Sequence, residues 1–129
     1  MLMDEGLDNV FSRHERHAEA TRRAVRAWGL ETQCQEPSEH SPVVTGVVMP
    51  DGHDADALRA AILEHYDMSL GAGLGKVKGR IFRIGHLGDF NDLLLMGTLS
   101  GIEMGLAVAG VPHAKGGTRA AMDYLTGNV

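Results

Sequence analysis

The run Gly79-Arg80-Ile81-Phe82-Arg83-Ile84-Gly85-His86-Leu87-Gly88-Asp89-Phe90-Asn91-Asp92 sets one arginine inside a short apolar strand, then turns through two glycines toward a helix cap. Ile81 to Ile84 favour a strand, and Gly85 and Gly88 free the backbone for a turn. Asp89, three residues before Asp92, has the spacing of a capping box for the apolar run that follows. An arginine between Phe82 and Ile84 is costly to desolvate unless an anion meets it. Its planar fork suits a carboxylate gripped through two hydrogen bonds. These residues pose a receptor for a small anionic ligand centred on Arg83. The competing reading, which residue chemistry alone favours, is an arginine at a strand end, paired with a structural aspartate or reaching out to water.

Other chemistry-bearing spacings fall short. Gly71-Ala72-Gly73-Leu74-Gly75-Lys76 is glycine-rich, but a phosphate loop needs glycine where Leu70 stands and Ser or Thr where Val77 follows the lysine. The spacing of Gly71, Gly73 and Gly75 fails the dinucleotide fingerprint as well. The segment 71–79 reads as a surface loop that could border the Arg83 site. His14 and His17 are three apart, where two ligands on a zinc helix stand four apart, and no third ligand is evident, so no metal site is expected. Cys34 lies in a polar stretch without a base partner, so no catalytic thiol is expected. No catalytic residue can be assigned from spacing in this chain.

Composition bounds the partners. The 129 residues make one domain, rich in glycine and poor in aromatics, with a net charge of −5. Residues 31–69 hold eight acids against Arg59 alone, while 70–129 hold six bases against four acids. That small positive excess accompanies Arg83 and suits an anionic small molecule, but it is too weak for nucleic acid. A single cysteine gives no disulfide framework and points to the cytoplasm. Leu93 to Val111 approaches the length of a membrane span, yet Glu103 and four glycines dilute it. It reads as a buried helix, and no membrane partner is expected.

The elements that must position Arg83 follow from periodicity. Leu7, Val10, Phe11, His14, Ala18, Thr21, Val25 and Trp28 recur at helical steps from Asp4 to Trp28, with Gly29 as the C-terminal cap. So long an apolar stripe, starting at the first residues, demands more cover than the remaining core promises. Glu31 to Pro42 reads as loop, and Val43 to Val48 as a strand closed by Pro50. Asp54 or Asp56 caps a helix over Ala55 to Tyr66. A short extended piece, Met68 to Leu70, precedes the glycine-rich run and the Arg83 strand. Helices follow from about Asn91 to Ala109 and from about Gly117 to Leu125. Gly97, Gly101 and Gly105 lie on one face of the first of these, admitting a close neighbour beside the stripe Leu95, Leu99, Ile102 and Leu106. The predicted fold is α+β: a small three-stranded sheet covered by helices and preceded by a long N-terminal helix.

Longer stretches carry a family likeness. Gly75 to Gly88, Asn91-Asp92-Leu93 and Gly97-Thr98-Leu99-Ser100-Gly101-Ile102-Glu103-Met104 closely resemble class V pyridoxal-phosphate aminotransferases, in the serine–glyoxylate (alanine–glyoxylate) branch. Gly6-Leu7-Asp8-Asn9-Val10-Phe11-Ser12-Arg13-His14 and Gly116-Gly117-Thr118-Arg119-Ala120-Ala121-Met122-Asp123-Tyr124-Leu125 resemble that branch too. The likeness implies that 1–129 is only the C-terminal small domain, with 1–29 an inter-domain helix and 43–129 the α+β core. It implies that Arg83 grips the substrate's α-carboxylate, that the substrates are a small amino acid and a 2-oxo acid, and that the complete enzyme is a homodimer. The cofactor implied is pyridoxal 5'-phosphate, held mainly by a large domain outside this chain together with its Schiff-base lysine. Lys76, Lys78 and Lys115 do not fall in the family's lysine motif, cofactor-binding residues here are unknown, and the chain alone is not expected to transaminate. Two readings compete with it. One is a non-catalytic module that docks on a separate large domain or on itself. The other is a free-standing binder of small 2-oxo or amino acids, for which a single surface arginine is a weak basis.

Overall fold

Helical periodicity and β-branched runs produce their elements where the sequence places them. The computed structural model describes residues 7–33, 44–73, 79–85 and 91–127, without the side chains of 7–11 and of Val44. In chain order they form α1 (Leu7–Ala27), β1 (Glu31–Thr32), β2 (Val44–Val48), α2 (Ala55–Tyr66), β3 (Gly71–Ala72), β4 (Ile81–Gly85), α3 (Asp92–Val108) and α4 (Gly117–Leu125). The strands make one antiparallel sheet in the order β1-β2-β4-β3. The architecture is the expected α+β, with four strands rather than three.

Both differences in the sheet lie at its edges. β1 falls inside the stretch expected to be loop, and β3 falls in the glycine-rich run, just after the extended piece expected at Met68 to Leu70. Each is two residues long, so neither offers an alternation to read. Their strand character comes from pairing with β2 and β4.

The core sits on one face of the sheet. Val47, Phe82 and Ile84 point into it and meet Leu58 and Ile62 of α2, Leu95, Leu99, Ile102 and Leu106 of α3, and Ala24, Val25 and Trp28 at the end of α1. At about 25 cal/mol per Å² of apolar surface removed from water, this cluster is the main stabiliser of the fold. The apolar stripe of α1 finds its cover within the chain from His14 to Trp28: Ala18, Ala20, Thr21, Ala24 and Val25 are fully buried. This corrects the expectation that the core would not suffice along that stretch, and α4 supplies much of the difference.

Caps fix the helix ends. Gly29 takes the left-handed conformation (φ 82°), its N–H bonding the Arg26 carbonyl while Leu30 N–H bonds that of Val25, a Schellman closure of α1. Asp54 caps α2, accepting from Asp56 N–H at 3.0 Å. α3 is capped by Asn91, whose side-chain oxygen accepts from Leu94 N–H at 2.8 Å. Asp89, expected in that role, lies outside the described residues. Of the three helix glycines, Gly101 faces Met68 and Gly105 faces Ile62, where no Cβ would fit without displacing them. Gly97 meets nothing within 4 Å, so the close approach uses two glycines rather than three.

Candidate functional site

Arg83 stands in the middle of β4, and strand alternation decides where it points. Phe82 and Ile84 are fully buried on the core face, whereas Arg83 lies exposed on the opposite face. The expected cost of desolvating it therefore does not arise. It belongs to an outward row whose members come from four different strands or their ends.

Register assembles that row. Gly46 of β2 and Gly71 of β3 oppose Arg83 on either side. Gln33, just beyond β1, donates its backbone N–H to the Gly46 carbonyl at 2.8 Å and so extends the row by one position. The two glycines clear space for the two polar side chains. A methyl at position 71 would stand 3.1 Å from Arg83 Cβ and 3.3 Å from its Nε, so the arginine lies across Gly71. A methyl at position 46 would stand 2.6 Å from Gln33 Oε1, so the carboxamide lies across Gly46. Among the described residues no carboxylate pairs with Arg83. The exposed position is compatible with either expectation, a guanidinium that meets an anion or one that reaches out to water.

The edge strand carrying Gly71 is fastened on both sides. Arg59 of α2 donates from Nε to the Leu70 carbonyl at 2.8 Å while its other arm meets Asp56 at 3.3 Å. On the far side Gly73 N–H bonds the Ile81 carbonyl at 3.2 Å. A row of Arg, Gln and two Gly can bind and orient a carboxylate, but among its members no group can accept or deliver a proton near neutral pH.

Another titratable cluster ties α1 to α3 and to the end of α4. Asp92, at the start of α3, accepts from Arg16 and meets His17 Nε2 at 2.9 Å, and Arg16 also reaches the Leu125 carbonyl at 2.7 Å. The Arg16 hydrogen bond is the main reason that the Asp92 carboxyl lies below its ordinary range. His17 takes part in this network and His14 is buried on the same helix, and no group of three metal-ligating side chains occurs among the described residues. Cys34, Lys76, Lys78 and residues 86–90 lie outside them. Among the described residues no helix is long and apolar enough to cross a membrane.

The sequence singles out Arg83 by type and does not announce that Gln33, Gly46 and Gly71 share its row. Gly71 was visible only as part of a loop, and the signal that could have singled it out was the register of two edge strands, which spacing does not encode.

Known proteins share this sequence and fold. No protein-family model matches the chain. The chain is 46% identical over 128 residues to serine–glyoxylate aminotransferase of Methylorubrum extorquens, covering 98% of this chain and 32% of that protein. It is 44% identical over 126 residues to the serine–glyoxylate aminotransferase of Arabidopsis thaliana, covering 97% of this chain and 31% of that one. The crystal structure of pyridoxamine–pyruvate aminotransferase from Mesorhizobium loti superposes with a TM-score of 0.90 at 32% identity, over 98% of this chain and 33% of that one. The chain belongs to the class V aminotransferases, within the serine–glyoxylate branch. It spans about a third of the length of the relatives it matches.

Aminotransferases of this class work with pyridoxal phosphate, and the described residues do not form a site for it. Lys115 is exposed in the turn between α3 and α4. The hollow between α1 and α4, the one beneath β1 and β2 and the one beside α2 have no lysine in their linings.

Proposed function

We propose that this chain is the C-terminal small domain of an aminotransferase that moves an amino group from serine or alanine to glyoxylate. In this reading α1 is the inter-domain helix of segment 1–29, and 43–129 is the core. Arg83 holds the carboxylate common to amino donor and 2-oxo acceptor. Pyridoxal phosphate and its lysine come from the two-thirds of the relatives' length that this chain does not span. The complete enzyme is a cytoplasmic homodimer. The observation that carries the reading is the exposed Arg83 guanidinium, without a carboxylate partner among the described residues and lying over a floor cleared by glycine.

The relatives' names support the substrate class, with serine and pyridoxamine as donors and glyoxylate and pyruvate as acceptors. Each acceptor is a small 2-oxo acid, and a carboxylate is what an open arginine fork recognises. By itself the row orients a substrate and does no proton transfer. The chain alone should therefore bind weakly and not turn over.

Titration of the purified chain with glyoxylate, followed by NMR at the Arg83 side chain, tests the binding role. Saturable shifts that Arg83→Ala abolishes are expected, and shifts that survive that substitution would remove Arg83 from the site. Mixing the chain with pyridoxal phosphate and reducing with borohydride tests the division of labour. A stoichiometric adduct on one lysine, with turnover of serine, would show that the chain is a competent enzyme on its own.

A further inference from the structure

The geometry points to Gly71 as the positioning residue that sets the direction of the Arg83 guanidinium, with Arg59 holding the strand on which it does so. The inference rests on the reading of Arg83 as the partner of the substrate carboxylate.

The argument begins from an anomaly. A glycine in an edge strand weakens it, because it contributes no side chain to pack and loses more freedom than other residues on folding. Six described glycines have positive φ and so need their lack of a Cβ for backbone reasons, but Gly71 is not among them. Any residue could adopt its backbone. What another residue would do is crowd Arg83, whose Cβ and Nε lie 3.1 and 3.3 Å from where a Cβ would stand, a few tenths of an ångström inside ordinary contact. Contacts that close oblige one of the two groups to move.

The floor itself is fixed. Leu70, the preceding residue, has its carbonyl held by Arg59 Nε at 2.8 Å, and Arg59 is in turn steadied by Asp56. Ala72 pairs with Phe82, and Gly73 N–H bonds the Ile81 carbonyl. With the backbone held before and after Gly71, a side chain introduced there would push the flexible Nε end of the arginine aside, while the contact with its Cβ would be relieved by a few tenths of an ångström between β3 and β4. The exposed guanidinium is the mobile member of the pair, and its direction decides where a carboxylate lands. On the other side of β4, Gln33 lies over Gly46, so Arg83 leaning toward Gly71 leans away from that carboxamide.

The test uses the full chain, isotope-labelled, with the Arg83 Nε–Hε resonance assigned by its loss in Arg83→Lys. Gly71→Val is the main variant, since a β-branched residue suits a strand and should leave the sheet intact. In the unsubstituted chain a nuclear Overhauser contact between Arg83 Hε and the Gly71 α-protons is expected. In Gly71→Val the Arg83 Nε–Hε resonance should move while the Phe82 and Ile84 amides hold their positions. Glyoxylate affinity should fall about tenfold, as for a misplaced binding group. Gly71→Ala should give the same changes in smaller measure, and it decides the matter if the valine variant does not fold. An unmoved Arg83 resonance with unchanged affinity in the substituted chains would overturn the inference. If glyoxylate fails to perturb Arg83 even in the unsubstituted chain, the carboxylate reading fails, while the displacement of Nε–Hε still judges Gly71.

Discussion

The Glu103 carboxylate, midway along α3, accepts the indole N–H of Trp28 at 2.7 Å. The same oxygen accepts the backbone N–H of Thr118 at 3.2 Å. α4 begins at Gly116, which is left-handed and supplies no capping side chain, so a carboxylate borrowed from another helix meets its first N–H groups. One side chain thus ties together the end of α1, the middle of α3 and the start of α4. Glu103→Ala should lower stability by about 2 kcal/mol, the scale of hydrogen bonds to a charged group. A urea melt measures it, and an unchanged midpoint would show that the three-way contact contributes nothing.

The same contact sets an acid limit on stability. Burial opposes ionisation of Glu103, yet the bonds from Trp28, Thr118 and Gly117 outweigh it and hold the carboxyl below its ordinary range. A carboxyl lowered in the folded state stabilises fully above its unfolded value, about 4.3, and the contribution is lost as pH falls through the folded value. Glu103→Gln keeps one acceptor and cannot ionise. Its deficit relative to the unsubstituted chain should be largest near neutral pH and shrink below about pH 4. Melts at pH 7 and pH 3 compare the two, and a deficit that stays constant would assign the effect to packing alone.

Two glycines that look alike in sequence should respond oppositely. A Cβ on Gly105 would overlap the Ile62 side chain, whereas one on Gly97 would meet nothing within 4 Å. Gly97→Ala should therefore stabilise α3 by about 0.5–1 kcal/mol through helix propensity. Gly105→Ala should destabilise by about 1–3 kcal/mol through overpacking. Pairing it with Ile62→Val should recover part of that loss, as expected for residues in contact. Additive losses in the double variant would mean that the two side chains do not share the space the structure shows.

What the sequence made legible followed from how many residues carried each signal. α1, α2 and α3 each repeat an apolar stripe over three or more turns, and β2 and β4 are five-residue strands carrying Val, Thr, Ile or Phe at most positions. β1 and β3 are two residues each, selected by pairing with neighbours far along the chain, so nothing local announces them. The Arg83 site divides along the same line. The arginine stood out by type, but its apolar neighbours suggested burial, when adjacent strand residues face opposite sides of the sheet. Gln33, Gly46 and Gly71 join it only through cross-strand register, a long-range property that residue spacing does not contain.

The hold of Arg59 on β3 gives the last prediction. Its Nε bond to the Leu70 carbonyl and its pairing with Asp56 are what fasten a two-residue edge strand to α2. β3 has few other anchors, so it should open locally without global unfolding. Arg59→Met keeps the aliphatic stem and removes both polar contacts. Since a bond from a charged donor stabilises by about 1.5–3 kcal/mol, exchange at the Gly73 amide, which bonds Ile81, should quicken about tenfold or more. Core amides such as Leu99 and Ile102 should exchange as before. Hydrogen exchange followed residue by residue separates the outcomes. Acceleration confined to β3 and the adjoining end of β4 fits a strut under the floor beneath Arg83. Uniform acceleration across the chain would mean that Arg59 supports the whole fold, and no acceleration would mean that pairing with β4 alone holds the strand.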